Sequence, residues 1–173
     1  YKGLENRFTI EQGGGVMAVK DYNSHPTCMR KVLESARDLV AGRIISVFKP
    51  YRYSLIKYLQ NEYGAAFHGS DEVIITTMYA ANEDPIPGVD TELVVEKIRE
   101  NGLKVTHIPE QSKINAYLLE HTRPGDKVIF FGGDDFFRMA DDFIAECARR
   151  AGATASAPTI EHHAGGPRTL PEE

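Results

Sequence analysis

Asp21, Tyr22, Ser24 and His25 set an acid, a phenol, a hydroxyl and an imidazole within one short polar stretch. A carboxylate there can accept hydrogen bonds from ribose hydroxyls, and its plainer role is to start a helix. His25 precedes Pro26, where an imidazole can equally pack or cap the helix start. Arg52 lies between Tyr51 and Tyr53. Its planar fork matches a carboxylate or phosphate through two hydrogen bonds, and it can also stack on a tyrosine at the surface. Gly132-Gly133, followed by Asp134-Asp135, permits close backbone approach or a tight turn.

These residues need elements to hold them. Residues 7–11 alternate as a strand, and Gly13-Gly14-Gly15 turns it into an apolar strand ending near Lys20. The patterns then predict a helix over 26–40, a strand over 43–48, a loop over 50–54 and a helix over 55–67. A strand over 72–76 leads into a long loop from Tyr79 to Asp90, whose last residues cap a helix ending at Asn101-Gly102. A strand over 104–108, a helix over 111–121, a strand over 127–131 and a helix from 136 to about 150 complete the series. This alternation predicts an α/β, Rossmann-like, mostly parallel sheet with helices on both faces and an antiparallel edge from the N-terminal hairpin. Four loops then follow strand carboxyl ends, at 21–25, 49–54, 79–90 and 132–135, where open α/β sheets bind ligands.

Bulk composition narrows the partners. The 173 residues are 42% hydrophobic and 26% charged, as in a globular domain, with a net charge of −5. That balance argues against nonspecific binding of nucleic acid or anionic membranes. No apolar run is long enough to span a bilayer, and Cys28 and Cys147 read as reduced thiols of a cytoplasmic protein. The chain holds neither a GxxxxGK[ST] phosphate loop nor a GxGxxG turn, and His162-His163 lacks the partners of a metal site.

As a set, the segments resemble the C-terminal domain of the Mur ligases. Gly3 to Phe8 is similar to GxxRRF, and residues 21–27 resemble DYxHHPT. Residues 47–54 resemble FQPHRYSR, residues 79–88 resemble YxAGExPIxG, and Gly132-Gly133-Asp134-Asp135 stands where the family has GAGD. The resemblance covers residues 1–152, leaving 153–173 as a flexible extension. It implies an ATP- and Mg2+-dependent ligase of peptidoglycan precursor synthesis, joining an amino acid to a UDP-muramyl carboxylate. The phosphate loop would lie in a central ATPase domain upstream, behind an N-terminal UDP-sugar-binding domain, and this chain alone would be inactive. Arg7 and Asp21 would contact nucleotide, with Asp21 at the ribose. Tyr22, Ser24, His25 and Arg52 would meet the amino acid, and Tyr51, Leu55, Tyr79, Gly132, Gly133 and Asp135 would form the rim.

The departures cluster where substrate is handled. Ser24 replaces the first His of HHP, Tyr51 the His before Arg52, Leu55 a second Arg, Thr77 an Asp and Asp134 a Gly. They leave the amino acid open. They also motivate an alternative, a catalytically inactive paralogue serving as a binding or regulatory module. A flavodoxin-like or receiver-like domain is a third, weaker fit, because its acids follow the last strand.

Overall fold

The chain opens with a hairpin in which β1 (Thr9–Gly13) pairs antiparallel with β2 (Val16–Asp21). The computed structural model describes residues 7–39 and 41–155. Most of the GxxRRF-like segment, Val40, His162-His163 and the extension from 156 onward therefore lie outside the described residues. The glycine run between the strands also seats the last helix. A Cβ on Gly14, whose φ is +59°, would meet the Cys147 carbonyl oxygen at 2.3 Å.

Pro26 opens α1 (Pro26–Leu39), where its missing N–H has no helical partner to lose. After β3 (Ile44–Phe48) comes α2 (Tyr53–Ala66), then β4 (Glu72–Ile75) and α3 (Thr91–Glu100). The Asp90 carboxylate caps α3 by accepting the Leu93 N–H at 3.0 Å. The chain continues through β5 (Val105–His107), a 3-10 turn at Gln111–Lys113, α4 (Ile114–His121), β6 (Lys127–Phe131) and α5 (Asp134–Ala155).

The six strands lie in the order β1-β2-β6-β3-β4-β5, and every pairing except β1–β2 is parallel. Both faces are covered, so β3, β4 and β6 are buried at every position. Val19, Ile44, Phe48, Val73, Ile75, Ile129 and Phe131 face α1, α2 and α3. Ala18, Ile45, Val47, Ile74, Val128 and Phe130 face α4 and α5. The buried Lys20 ammonium holds α5 to the hairpin through Glu11 and Asp141, each at 2.5 Å.

Several boundaries move for tertiary reasons. β1 begins at Thr9 rather than residue 7. α2 begins two residues early, because Glu83 from a distant loop accepts the Ser54 N–H at 2.9 Å and supplies a cap that local sequence does not show. α5 begins at Asp134, not residue 136, with two acids in its first turn facing the positive end of the helix dipole. It runs to Ala155, past both the expected helix end and the start of the proposed extension.

At the amino ends of the strands, the carboxylate of buried Glu72 accepts hydrogen bonds from Lys104 at 2.8 Å and Tyr117 at 2.7 Å. Burial alone would raise its pKa, but these bonds and the Lys104 charge hold it below the usual glutamate range. Its stabilising contribution is therefore complete above about pH 4.3 and lost as the pH falls through the lowered folded value. The urea midpoint of the parent should drop over that acid window more steeply than that of Glu72→Gln. Parallel acid limbs would refute this role.

Candidate functional site

β6 lies between β2 and β3, and the segments leaving these strands diverge. Those after β2 and β3 lead to α1 and α2 on one face, and that after β6 leads to α5 on the other. Such a divergence opens a crevice at the strand carboxyl ends. A cleft of about 430 Å³ occupies it, lined by Tyr22, Ser24, Lys49, Tyr51, Tyr79, Gly132, Gly133, Asp134 and Asp135. All four expected loops contribute.

Main-chain pairing fixes the rim. Beyond β3 and β4, Tyr51 and Tyr79 form a parallel bridge, with Arg52 N–H donating to the Tyr79 carbonyl at 2.9 Å and Tyr79 N–H to Pro50 at 2.8 Å. Their rings lie 5.8 Å apart. Tyr22 packs edge-on against Phe137, and the buried Tyr63 hydroxyl donates to the Ser24 carbonyl at 2.6 Å, fixing the turn after β2. Burial pushes the Tyr63 phenol up, so it stays a donor. Gly132 must lack a side chain, because a Cβ there would meet the Phe136 ring at 2.6 Å.

Charge enters the cleft from two loops. The Lys49 ammonium meets the Asp135 carboxylate at 2.6 Å and Gln111 Oε1 at 3.3 Å. Burial would raise the Asp135 pKa, but Lys49, Gln111 and the Phe136 N–H hold it below the usual carboxylate range. Asp134 is exposed on the same wall.

Arg52 stands beside the cleft, exposed, its guanidinium 5.0 Å from the Tyr51 ring centre. Its φ of 64° is unusual for a residue with a side chain. Glu83 approaches Arg52 at 3.8 Å but is engaged by the Ser54 hydroxyl at 2.6 Å, which, with the Ser54 N–H, keeps its carboxyl ionised below the usual range.

Other expected residues lie elsewhere. His25 is exposed at the start of α1, where Nδ1 accepts the Thr27 N–H at 3.3 Å and its carbonyl accepts the Met29 N–H, so capping is the role it fills. Leu55 is half-buried in the first turn of α2 and does not line the cleft. Asp21, expected at a ribose, is 1% exposed. Its oxygens accept the Phe8 and Asn23 N–H groups, both at 2.9 Å, and Arg7 lies 3.9 Å away. In this conformation it faces no open space and instead shapes the exit of β2. Arg7 remains half-exposed and donates to the Asn23 side chain. Thr77 donates to the Pro109 carbonyl at 3.0 Å, outside the cleft. Sequence alone does not mark Lys49 or Glu83 as site residues. The signal for Lys49 was its place directly after the apolar run of β3, inside a rim loop.

The profile of the Mur ligase glutamate ligase domain matches residues 6–133. The chain belongs to this family. Over 146 residues this Mur ligase domain is 36% identical to the UDP-N-acetylmuramate–L-alanine ligase of Desulforamulus reducens, covering 83% of the chain and 32% of the relative. It is 38% identical over 150 residues to that of Rubrobacter xylanophilus, covering 84% and 34%. The chain thus spans about a third of the length of these curated relatives. Among solved structures, the UDP-N-acetylmuramate–alanine ligase of Thermotoga maritima superposes with a TM-score of 0.68 at 16% identity, over 89% of this chain and 31% of that one. A MurF ligase from the same organism in complex with ADP gives 0.60 at 22%, over 87% and 33%. At these identities the two structures speak for the fold. No described helix is long and apolar enough to cross a membrane.

Proposed function

We propose that this domain is the C-terminal part of an ATP-dependent, amide-forming ligase of peptidoglycan precursor synthesis, like UDP-N-acetylmuramate–L-alanine ligase, and that its cleft receives the incoming amino acid. The observation that carries this reading is the switch-point cleft, where a cation, a carboxylate and three tyrosines converge beside Arg52. A free amino acid presents one carboxylate and one amine, and this wall offers a partner for each.

ATP and Mg2+, held chiefly by a central domain of the longer protein, would activate the UDP-muramyl carboxylate as an acyl phosphate. Arg52 would hold the amino-acid carboxylate through charge-assisted hydrogen bonds. Tyr22, Tyr51 and Tyr79 would shield the reacting amine from water. Arg7 would meet the nucleotide as the domains close, with Asp21 fixing the backbone beneath it. A ribose contact by Asp21 itself requires its present N–H partners to shift.

The test uses the full-length protein containing this chain, with ATP, UDP-N-acetylmuramate and a panel of amino acids. Phosphate release should depend on the amino acid, and Arg52→Ala should lower kcat/KM for it about tenfold or more while leaving the KM for ATP unchanged. The 173-residue chain alone should release none. Phosphate release without an amino acid, or by this chain alone, would sink the reading. A parent that is silent with every amino acid would favour the non-catalytic binding module.

A further inference from the structure

Among the described residues that line the cleft Lys49 is the one cation, and it already holds a carboxylate there, that of Asp135 at 2.6 Å. Its ammonium lies 5.7 Å from the Tyr79 ring centre, while the Arg52 guanidinium lies 5.0 Å from that of Tyr51. Those two rings pack against each other. Each of the two cations, three residues apart on one loop, therefore stands near one ring of a single aromatic pair. Leu55, where the resemblance places a second guanidinium, has no part in this wall.

Resting on the amino-acid reading above, we propose that a free α-amino acid inserts between Lys49 and Asp135. The ligand carboxylate replaces that of Asp135 at the Lys49 ammonium, shared with Arg52, and the ligand amine turns to Asp135. One internal ion pair becomes two intermolecular ones. The exchange is feasible because neither group is sealed off: the side chains are 21% and 38% exposed, so neither charge is stranded in an apolar interior during entry. It also confers selectivity. A carboxylate without an amine would free Asp135 from Lys49 and give it no new partner. In this chain Lys49, rather than position 55, supplies the second cation, and Asp135 reads the amine.

The test is titration of the isotope-labelled 173-residue chain, followed by NMR, with L-alanine and with propionate, its analogue lacking the amine. The parent should bind alanine more tightly than propionate. Lys49→Gln should weaken alanine binding about tenfold or more, as expected for losing a charged hydrogen bond. Asp135→Asn should bind propionate at least as well as the parent does, because Lys49 is released, and should lose the preference for alanine. Unchanged spectra away from the cleft would show that both variants keep the fold. If the parent binds alanine but Lys49→Gln binds it equally, or Asp135→Asn keeps the preference, the exchange is wrong and the amino-acid site stands. If the parent binds neither alanine nor any other L-amino acid, the amino-acid reading itself fails, and the exchange with it.

Discussion

The Arg52→Gly variant is expected to melt about 2–6 °C higher than the parent, while binding its amino acid about tenfold or more weakly. The two effects have separate origins in one residue. The backbone of Arg52 sits at φ 64° and ψ 133°, where a Cβ crowds its own main chain and only glycine is at ease. That conformation is imposed from outside. The Arg52 N–H bonds Tyr79 at 2.9 Å, and its carbonyl accepts the Ile56 N–H at 3.2 Å, so the residue joins the rim bridge to the first turn of α2. Glycine would relieve the strain, offset in part by the greater freedom of glycine in the unfolded chain. It would also delete the guanidinium. Calorimetry and the NMR titration read the two effects independently. A lower melting temperature would show that the backbone is at ease with arginine, and undiminished binding would remove Arg52 from the site.

Gly64→Ala should be destabilising despite alanine's higher helix propensity. Gly64 is buried in α2 where that helix crosses α3. A Cβ there would stand 2.4 Å from Asn101 Nδ2 and 2.6 Å from the Lys97 carbonyl oxygen. The Asn101 side chain can swing away, but the carbonyl belongs to the α3 backbone and yields only if the helices separate. Overpacking of this kind costs about 1–3 kcal/mol and occasionally more, against a propensity gain of about 1 kcal/mol. A net loss of about 1 kcal/mol should lower the melting temperature by roughly 2–4 °C. Gly152 in α5 is the control, since nothing lies within 4 Å of its would-be Cβ. Gly152→Ala should raise stability by up to about 1 kcal/mol. Equal effects at the two glycines would refute the packing account.

The strand–helix alternation was legible because apolar β-branched runs and helical periodicity are local signals, and the four rim loops followed directly from it. The family resemblance rests on short motifs, of which those at 21–27, 47–54, 79–88 and 132–135 each place a residue at this rim. What escaped was set by groups distant in sequence. Glu83 caps α2 from a loop 29 residues away, so the helix began earlier than its own residues indicate. Lys49 is by sequence a lone lysine after an apolar strand, and only its meeting with Asp135, 86 residues on, makes it a feature of the cleft. His25 and Asp21 have side chains suited to binding, but backbone N–H groups nearby claim their acceptors. Residue type announces what a group can do, and only the fold decides whether that capacity is already spent.

The central place of β6 bears on how this domain comes into being. β2 and β3 never touch as a pair: each is zipped to β6, Asp21 and Phe48 both standing opposite Phe131. During synthesis, a chain released only as far as Glu100 holds the β1–β2 and β3–β4 pairings but no edge that joins them. The cleft does not exist at that stage, because its walls belong to separate halves. Insertion of the last strand joins them, a long-range closure of the kind that slows folding and leaves strand edges open until late. The cleft therefore arrives together with the completed sheet, and a nascent or truncated chain lacking β6 and the residues 132–135 that follow it has neither wall in place.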